Sequence, residues 1–454
     1  MIIKRIKKII TKPLSIFLAF TFFVCSWPFI SFPLTDGDVS NWMMASYKIQ
    51  KTGVFLKAVS DQGHGPLMAW TGAIFAKLTP HSFYAYNFFN LLCGLLGVYL
   101  VYFFTYKFWQ KKDLSILATY IFCTNIAVIY LTRTPMYDWP AAIMYFMFCG
   151  FYYLYVKENE KKYLIFSLIA IGVGSLSRFS ICWGLAGIFM LLTSAIYRRS
   201  IKNIILDSLF ITLIVGLFNF PWLISQTKIY GSSFIKTFLF DNTGRYMKSA
   251  RPDAHYRKDF YGFLIYALVG MIPHTFCLIA SLFQKGITKR FKDSKESMVL
   301  LAGFLPCLIL FSFSGHTKLA RYIAYVFPFI SMLTAYFMYF YDLKSHRYRK
   351  KCRFALRSTA VLLIIILVCL VFQFNAEVKE SIVFALSVIV LLFSLLGVAN
   401  YTIKYRYKEL LENATKYLGF YFIIYFAFFS LLSFLYKRAE FLIDVEAMIR
   451  NVMQ

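Results

Sequence analysis

The stretch YAYNFFNLLCGLLGVYLVYFFTYKFWQKK, residues 84–112, decides the class of this chain. Positions 84–106 carry no charge, and a basic cluster follows at Lys107, Lys111 and Lys112. A spanning helix needs about 20 mostly apolar residues. Residues 84–106 therefore read as a membrane span, and the lysines mark its cytoplasmic end by the positive-inside rule. The pattern recurs along the chain. Apolar runs at 14–32, 84–106, 114–131, 137–156, 163–177, 180–197, 204–224, 260–283, 298–314, 320–341, 356–374, 380–400 and 417–436 predict about 13 transmembrane helices. The expected fold class is an all-α polytopic membrane protein.

Composition agrees. Of the 454 residues 59% are hydrophobic, 20% aromatic and only 15% charged, against roughly 25% charged in soluble domains. The net charge of +28 would suggest nucleic acid in a soluble protein. Here the cations sit in short clusters between apolar runs, which points to topology signals and membrane lipids and away from nucleic acid. The N-terminal MIIKRIKKIITKP and the clusters YKFWQKK, KENEKK, YRRSIK, QKGITKRFKDSKES, KSHRYRKKCRFALR and KYRYKELLENATK hold more than half of the 49 Lys and Arg residues. That places the N-terminus and these loops in the cytoplasm. The loops 33–83 and 225–259 then face outward, as does the tail 437–454. The first run, after a basic N-terminus and without a small-residue exit, reads as an uncleaved anchor. The cytoplasmic loops leave no room for a nucleotide-binding domain, and no GxxxxGK[ST] motif is present.

Nine cysteines, Cys25, Cys93, Cys123, Cys149, Cys182, Cys277, Cys307, Cys352 and Cys369, show no CxxC or Cys/His spacing. They read as packing residues, with neither a zinc cage nor a disulfide framework.

The outer loops carry the polar chemistry. In the first, DVSNWMMASYKIQ and PLMAWTGAIFAKL have helical periodicity but are too short to span. They predict amphipathic helices lying in the interface plane, or simply packed onto the bundle, with Trp42, Met43, Ser46 and Ile49 at helical spacing in the first and Leu67, Trp70, Ile74 and Leu78 in the second. TDGDVSNW supplies Asp36 and Asp38, which suit a helix N-cap or a general base at the membrane boundary. DQGHGPL supplies Asp61 and His64 in a Gly-rich turn, and TRTPMYDWP puts Arg133 and Asp138 at the edge of a span, where an acid requires a partner. Arg245, Arg251, His255 and Arg257 lie in the second long loop, and the guanidinium fork suits phosphate. SGHTKLARY brings His316, Lys318 and Arg321 to one short outer turn, and Arg178 in SLSRFS faces the same side. Converging cations with a few carboxylates suit transfer from a lipid phosphate ester. The cations stabilise the departing phosphate and a carboxylate activates the acceptor.

These segments resemble the membrane-embedded glycosyltransferases of the GT-C type, over about residues 30–340. The closest likeness is to the bacterial branch with the lipid A aminoarabinose transferases and to the related protein O-mannosyltransferases. Asp38 and Gly53 keep the family's acid-to-glycine spacing, and GHGPLMAW is similar to its PPLxxW segment. TRTPMYDWPAAI places Asp138 at the family's acid before the fourth span. FNFPWLISQTKIYGSSFIKTFLFDNTGRY gives Asn242 and Arg245, and FSFSGHTKLARYIAYVFP gives Lys318 and Tyr322. The resemblance implies an inverting transfer of a sugar, an amino sugar among the candidates, from undecaprenyl phosphate at the periplasmic face of the bacterial inner membrane. It implies Asp38 and Asp138 as catalytic residues. Asp36, His64, Arg178, Asn242, Arg245, His255, Lys318, Arg321 and Tyr322 are the expected substrate-binding residues. The acceptor is expected to be lipid A or a similar glycolipid, with a protein hydroxyl as the alternative. On this reading 1–341 forms the catalytic module. Residues 342–454 add helices and a short tail, without the large outer domain of the family.

The chain departs from the family at His64, where the family has Lys, at Gly63, where it has Glu, and at Val39, where it has a second acid. That Glu contributes to a metal site in some members, so a divalent metal is not indicated here. Asp61, His64 and His255 are the candidate substitutes. A transporter or flippase of lipid-linked sugars is the alternative of another class. It predicts mid-membrane charges, broken helices and an internal repeat, none of which the sequence displays.

Overall fold

The computed structural model of the protein describes residues 12–26, 37–56, 65–78, 83–242, 262–272, 274–275, 278–279, 294–313 and 320–340. Every regular element among them is a helix: α1 (Lys12–Ser26), α2 (Gly37–Thr52), α3 (Leu67–Leu78), α4 (Phe83–Trp109), α5 (Lys112–Cys123), α6 (Ile126–Arg133), α7 (Asp138–Glu158), α8 (Lys161–Ser175), α9 (Phe179–Tyr197), α10 (Ile201–Asn242), α11 (Gly262–Gly270), α12 (Lys295–Phe313), a 3₁₀ stretch (Ala320–Val326) and α13 (Phe327–Phe340). Six of these are long and apolar enough to cross a membrane, seven if α5 and α6 form one span. The protein is an all-α polytopic membrane protein. The candidate spans 356–374, 380–400 and 417–436 lie outside the described residues.

At the centre stands α7, which touches α4, α8, α9, α12, the 3₁₀ stretch and α13. Its Trp139, Tyr145, Phe146, Tyr152 and Tyr153 are buried among those neighbours. Lipid tails are as apolar as these side chains, so shape fit rather than water exclusion holds such a bundle. Ring pairs provide much of that fit, for example Phe146 edge-on to Phe329 at 5.1 Å. The buried cysteines Cys25, Cys93, Cys123, Cys149, Cys182 and Cys307 are free thiols.

The two ends of the bundle differ. At the end bearing the basic clusters, Arg199 pairs with Asp207 at 2.5 Å, and Tyr152 donates to the same carboxylate at 2.8 Å. Beside them Lys157 and the Tyr153 hydroxyl each reach Glu296 at 3.0 Å. These bonds tie together α7, the α9–α10 turn and the start of α12.

The far end carries the first-loop helices. Gly53, at φ 67°, closes α2 by donating its N–H to Ile49 O. The left-handed conformation there costs glycine nothing. The expected face of α2 packs inward, with Trp42, Met43, Ser46 and Ile49 all buried. The expected face of α3 does so only in its first half. Leu67 is buried and Trp70 partly buried, but Ile74 and Leu78 are exposed, while Met68, Ala69, Gly72, Ala73 and Ala76 are buried. Small residues win because α2 and α3 approach closely enough for Ser46 Oγ to donate to Ala69 O at 3.0 Å.

Two further departures concern spans. The run 114–131 is not one helix: α5 and α6 meet at a bend of 61°. The break survives inside the bundle because partners on other segments meet most of its polar groups, Asn125 Oδ1 excepted. Ile126 N–H donates to Ile272 O, Asn125 Nδ2 to Ser331 Oγ, and Thr124 Oγ1 meets His274 Nε2 at 2.8 Å. Likewise the span 204–224 does not end there. Helix α10 runs on, kinks at Gly231 (φ 63°) and continues to Asn242. Beyond the kink Phe234 and Phe238 fold back onto the buried Trp222, at 5.6 and 6.1 Å between ring centres. That aromatic contact makes helix out of what the charges Lys228 and Lys236 present as loop.

Candidate functional site

Asp138 is the first residue of α7 and is fully buried. A carboxylate suits the positive end of a helix, but burial demands stronger partners. It has two. Arg178 Nε donates to Oδ1 at 2.8 Å, and Arg321 Nε lies 3.2 Å from Oδ2. Arg178 is the residue before α9, and Arg321 is the second residue of the 3₁₀ stretch before α13. Three segments far apart in sequence thus converge where three helices begin.

Aromatic rings complete the cluster. The Arg178 guanidinium sits 4.0 Å from the Tyr137 ring centre and 5.5 Å from that of Tyr322. Arg321 lies 5.8 and 5.6 Å from the same rings. Such faces attract a cation, more so when it is desolvated. Burial works against the Arg178 charge, but the Asp138 carboxylate, with Tyr137 and Tyr322, outweighs it and holds the proton more firmly than in an ordinary arginine. Within this trio positive charge exceeds negative by one. Arg178 Nη2 is buried with no hydrogen-bond partner.

The backbone around the cluster is fixed from several sides. Asn90 Nδ2 donates to Thr134 O at 2.6 Å and to Met136 O at 2.9 Å, and Ser177 Oγ donates to Tyr137 O at 2.6 Å. Arg133 Nη1 donates to Val24 O. The first loop docks on the same place. Trp42 Nε1 donates to Pro135 O at 3.1 Å, and Trp42, Met43 and Met68 pack with Met136 and Tyr137.

This docking anchors the helix on which Asp38 lies. Asp38 is the second residue of α2 and precedes Trp42 by one helical turn. Its helix is therefore anchored three residues from Asp138. Gly65, next to His64 in sequence, lies against the α8–α9 turn. A Cβ there would stand 1.9 Å from Leu176 O, so only glycine permits the approach. Leu67 N–H donates to the same carbonyl. Asn242 closes α10. The structure brings together Asp138, Arg178, Arg321 and Tyr322. Asp36, His64, Arg245, His255 and Lys318 lie outside the described residues, as does Asp61. Among the described residues no three His, Cys, Asp or Glu side chains converge on a point.

Sequence reading did not single out Tyr137, Ser177 or Asn90. Asn90 carried the one usable signal, since an amide inside an apolar span needs a partner.

Comparison with known proteins gives a consistent picture. The family model described as dolichyl-phosphate-mannose-protein mannosyltransferase matches residues 63–224. An undecaprenyl phosphate-alpha-4-amino-4-deoxy-L-arabinose arabinosyl transferase of Pectobacterium atrosepticum is 23% identical over 273 residues, which is 59% of this chain and 47% of that protein. The protein of the same name from Pectobacterium carotovorum is 21% identical over 271 residues, with the same shares. The matched stretch thus spans about half the length of these curated relatives. Among solved structures, ArnT from Cupriavidus metallidurans in the apo state superposes with a TM-score of 0.74 at 14% identity, covering 92% of this chain and 76% of that one. The same protein bound to undecaprenyl phosphate gives 0.71 at 13% identity, covering 93% and 76%. The chain resembles the GT-C membrane glycosyltransferases of the lipid A aminoarabinose transferase and protein mannosyltransferase kind, and it has the fold of ArnT.

Proposed function

We propose that this chain is an inverting glycosyltransferase that moves one sugar from a polyprenyl phosphate to an acceptor at the outer face of the bacterial inner membrane. The observation that carries the reading is the buried Arg178–Asp138–Arg321 cluster, with Arg178 Nη2 left for an anion. The relatives named for undecaprenyl phosphate-linked aminoarabinose transfer support it, as does a solved relative holding undecaprenyl phosphate.

In this mechanism the donor phosphate lies against Arg178 and Arg321, with Arg245 and Lys318 approaching from the neighbouring loops. The acceptor hydroxyl attacks the anomeric carbon from the side opposite the phosphate. A C–O bond forms to the acceptor, and the C–O bond to the phosphate breaks with inversion. The bond's electron pair leaves on polyprenyl phosphate, whose added charge the guanidinium groups stabilise. The acceptor proton passes to Asp38, the general base. Asp138 acts by holding the two arginines, because both of its oxygens already face guanidinium groups. His64, His255, Asn242 and Tyr322 are assigned to the donor's surroundings, and Asp36, two residues before Asp38 in sequence, to substrate binding with them.

Lipid A or a similar glycolipid is the favoured acceptor, since it shares the interface with the donor. A protein hydroxyl is the second reading, favoured by the mannosyltransferase family model over residues 63–224. The flippase reading has one structural feature on its side, the broken span at Thr124–Asn125. The side chains bonded there, Thr124 with His274 and Asn125 with Ser331, include no carboxylate, lysine or arginine, which weighs against an ion site at the break.

Mass spectrometry of lipid A from cells lacking the gene, complemented with wild type or Asp38→Asn, tests the proposal. Wild type is expected to add the mass of one sugar, and the null and Asp38→Asn cells to lack it. Unchanged lipid A with a newly glycosylated protein would select the second acceptor. Full activity of Asp38→Asn would remove Asp38 from the chemistry.

A further inference from the structure

Beside the arginine cluster, α10 turns a row of polar side chains inward. Asn219, Trp222 and Gln226 stand at i, i+3 and i+7, on one face of the helix. All three are fully buried. Each retains an atom without a hydrogen-bond partner: Asn219 Oδ1, Trp222 Nε1 and Gln226 Oε1. The amides cannot be turned over to relieve this. Asn219 Nδ2 donates to Val215 O at 2.8 Å and to Ser175 Oγ at 2.7 Å, and Gln226 Nε2 donates to Leu56 O at 2.5 Å. Reversing either amide would point oxygen at a carbonyl. Ser175 joins the row to the cluster, since it lies three residues before Arg178 in the α8–α9 turn.

Buried groups of this kind cost free energy, and native proteins keep few of them without a reason. Here two acceptors and one donor line one face, and Arg178 Nη2 adds a second donor at the neighbouring turn. A lipid tail or a phosphate satisfies only part of such a set. Hydroxyl groups both donate and accept, so a polyhydroxylated ligand satisfies all of it. The surroundings fit the same class. Phe234, Phe238, Phe179 and Trp70 pack around Trp222 and offer apolar rings for the C–H face of a sugar. The depth fits too. At 1.5 Å per residue, Asn219 is about 27 Å along α10 from Ile201, and Gln226 about 10 Å further. With a hydrocarbon core of about 30 Å, the row begins at the edge of the core and rises to headgroup level.

We infer that Asn219, Trp222 and Gln226 form the sugar-recognition face of the donor site and set which sugar is accepted, beside Arg178 on the phosphate. This rests on the reading of the chain as a user of lipid-phosphate-linked sugars. In it the phosphate supplies affinity common to all donors, and the α10 row supplies the discrimination between them. A site built to hydrogen-bond hydroxyls rejects a ligand lacking them, because its buried groups are then left unpaired.

The test compares binding of three probes to the full chain in nanodiscs: undecaprenyl phosphate, undecaprenyl phosphate-4-amino-4-deoxy-L-arabinose and undecaprenyl phosphate-mannose. Wild type is expected to bind one sugar-bearing probe at least tenfold more tightly than undecaprenyl phosphate. Gln226→Leu and Trp222→Phe are expected to lose that preference while binding undecaprenyl phosphate within twofold of wild type. Trp222→Phe keeps an aromatic ring in place, so a folding failure of Gln226→Leu does not end the test. Equal weakening toward all probes would mark the row as packing only and overturn the inference, as would an unchanged preference. Wild type that binds undecaprenyl phosphate but prefers no sugar would overturn it as well. Failure to bind undecaprenyl phosphate at all would instead bring down the donor reading on which it rests.

Discussion

Replacing Asp138 by Asn removes the negative charge shared by two buried arginines. At about 4 Å between charge centres and an effective dielectric of about 20, each pair is worth about 4 kcal/mol of attraction. The distances of 2.8 and 3.2 Å place both pairs in that range. Desolvation of the three ions offsets much of it, so the net loss on breaking the cluster is about 3–5 kcal/mol, mostly from uncompensated buried arginines. The loss therefore depends on those arginines remaining. Arg178→Met in the Asp138→Asn background removes one unpaired charge and keeps the volume of the side chain. The double variant is expected to lose less than the sum of the two single losses, with a coupling of about 1–3 kcal/mol. Thermal denaturation of purified protein in one fixed detergent, read as monodisperse fraction after heating, measures this order. Asp138→Asn melting like wild type would refute the argument, as would a double variant that loses the full sum.

Three further outcomes follow from local geometry. Gly65→Ala forces a Cβ onto Leu176 O, which stands 1.9 Å from its ideal position, and is expected to cost about 1–3 kcal/mol and lower the melting temperature. Gly53→Ala meets no atom but must hold φ near 67°, so its cost is expected to be about 1–2 kcal/mol from backbone strain alone, with Gly53→Asn milder in the same melting assay. Asp207→Asn breaks the pair with Arg199 at the basic end and is expected to cost about 1–3 kcal/mol, given partial exposure of Arg199. Because that pair is at the opposite end from Arg178, its affinity for undecaprenyl phosphate is expected to stay within twofold of wild type.

Much of the fold was legible because a bilayer imposes a length and a polarity on each helix. Residues 84–106 and 137–156 need only be counted, and α4 and α7 cover them. The first-loop helix α2 was legible from Trp42, Met43, Ser46 and Ile49. Its end at Gly53 explains why an acid and a glycine stand fifteen residues apart in the sequence: the interval is one helix and its cap. What the sequence hid depends on distant partners. Thr124–Asn125 breaks a span without a proline or glycine, and the bonds that make the break tolerable come from Ile272, His274 and Ser331. Beyond Leu67 and Met68 the buried face of α3 is made of alanines and glycine, which a search for large apolar residues passes over. The extension of α10 past Gly231 depends on Trp222 receiving Phe234 and Phe238. At the site, the residue types were readable one by one, since each cation stands at the end of an apolar run. The pairing of Arg178 and Arg321 on the two oxygens of one carboxylate was not, nor was the row Asn219, Trp222, Gln226, because both are facts of how helices face one another.

Transfer of a sugar from a lipid phosphate is read most directly as product release. Purified protein in liposomes is given undecaprenyl phosphate carrying a labelled sugar, with and without lipid A. Free undecaprenyl phosphate and labelled lipid A are expected in equal amounts, only when both substrates and the wild-type protein are present. Label that crosses the membrane still attached to undecaprenyl phosphate, with no covalent product on lipid A or on added protein, would contradict it.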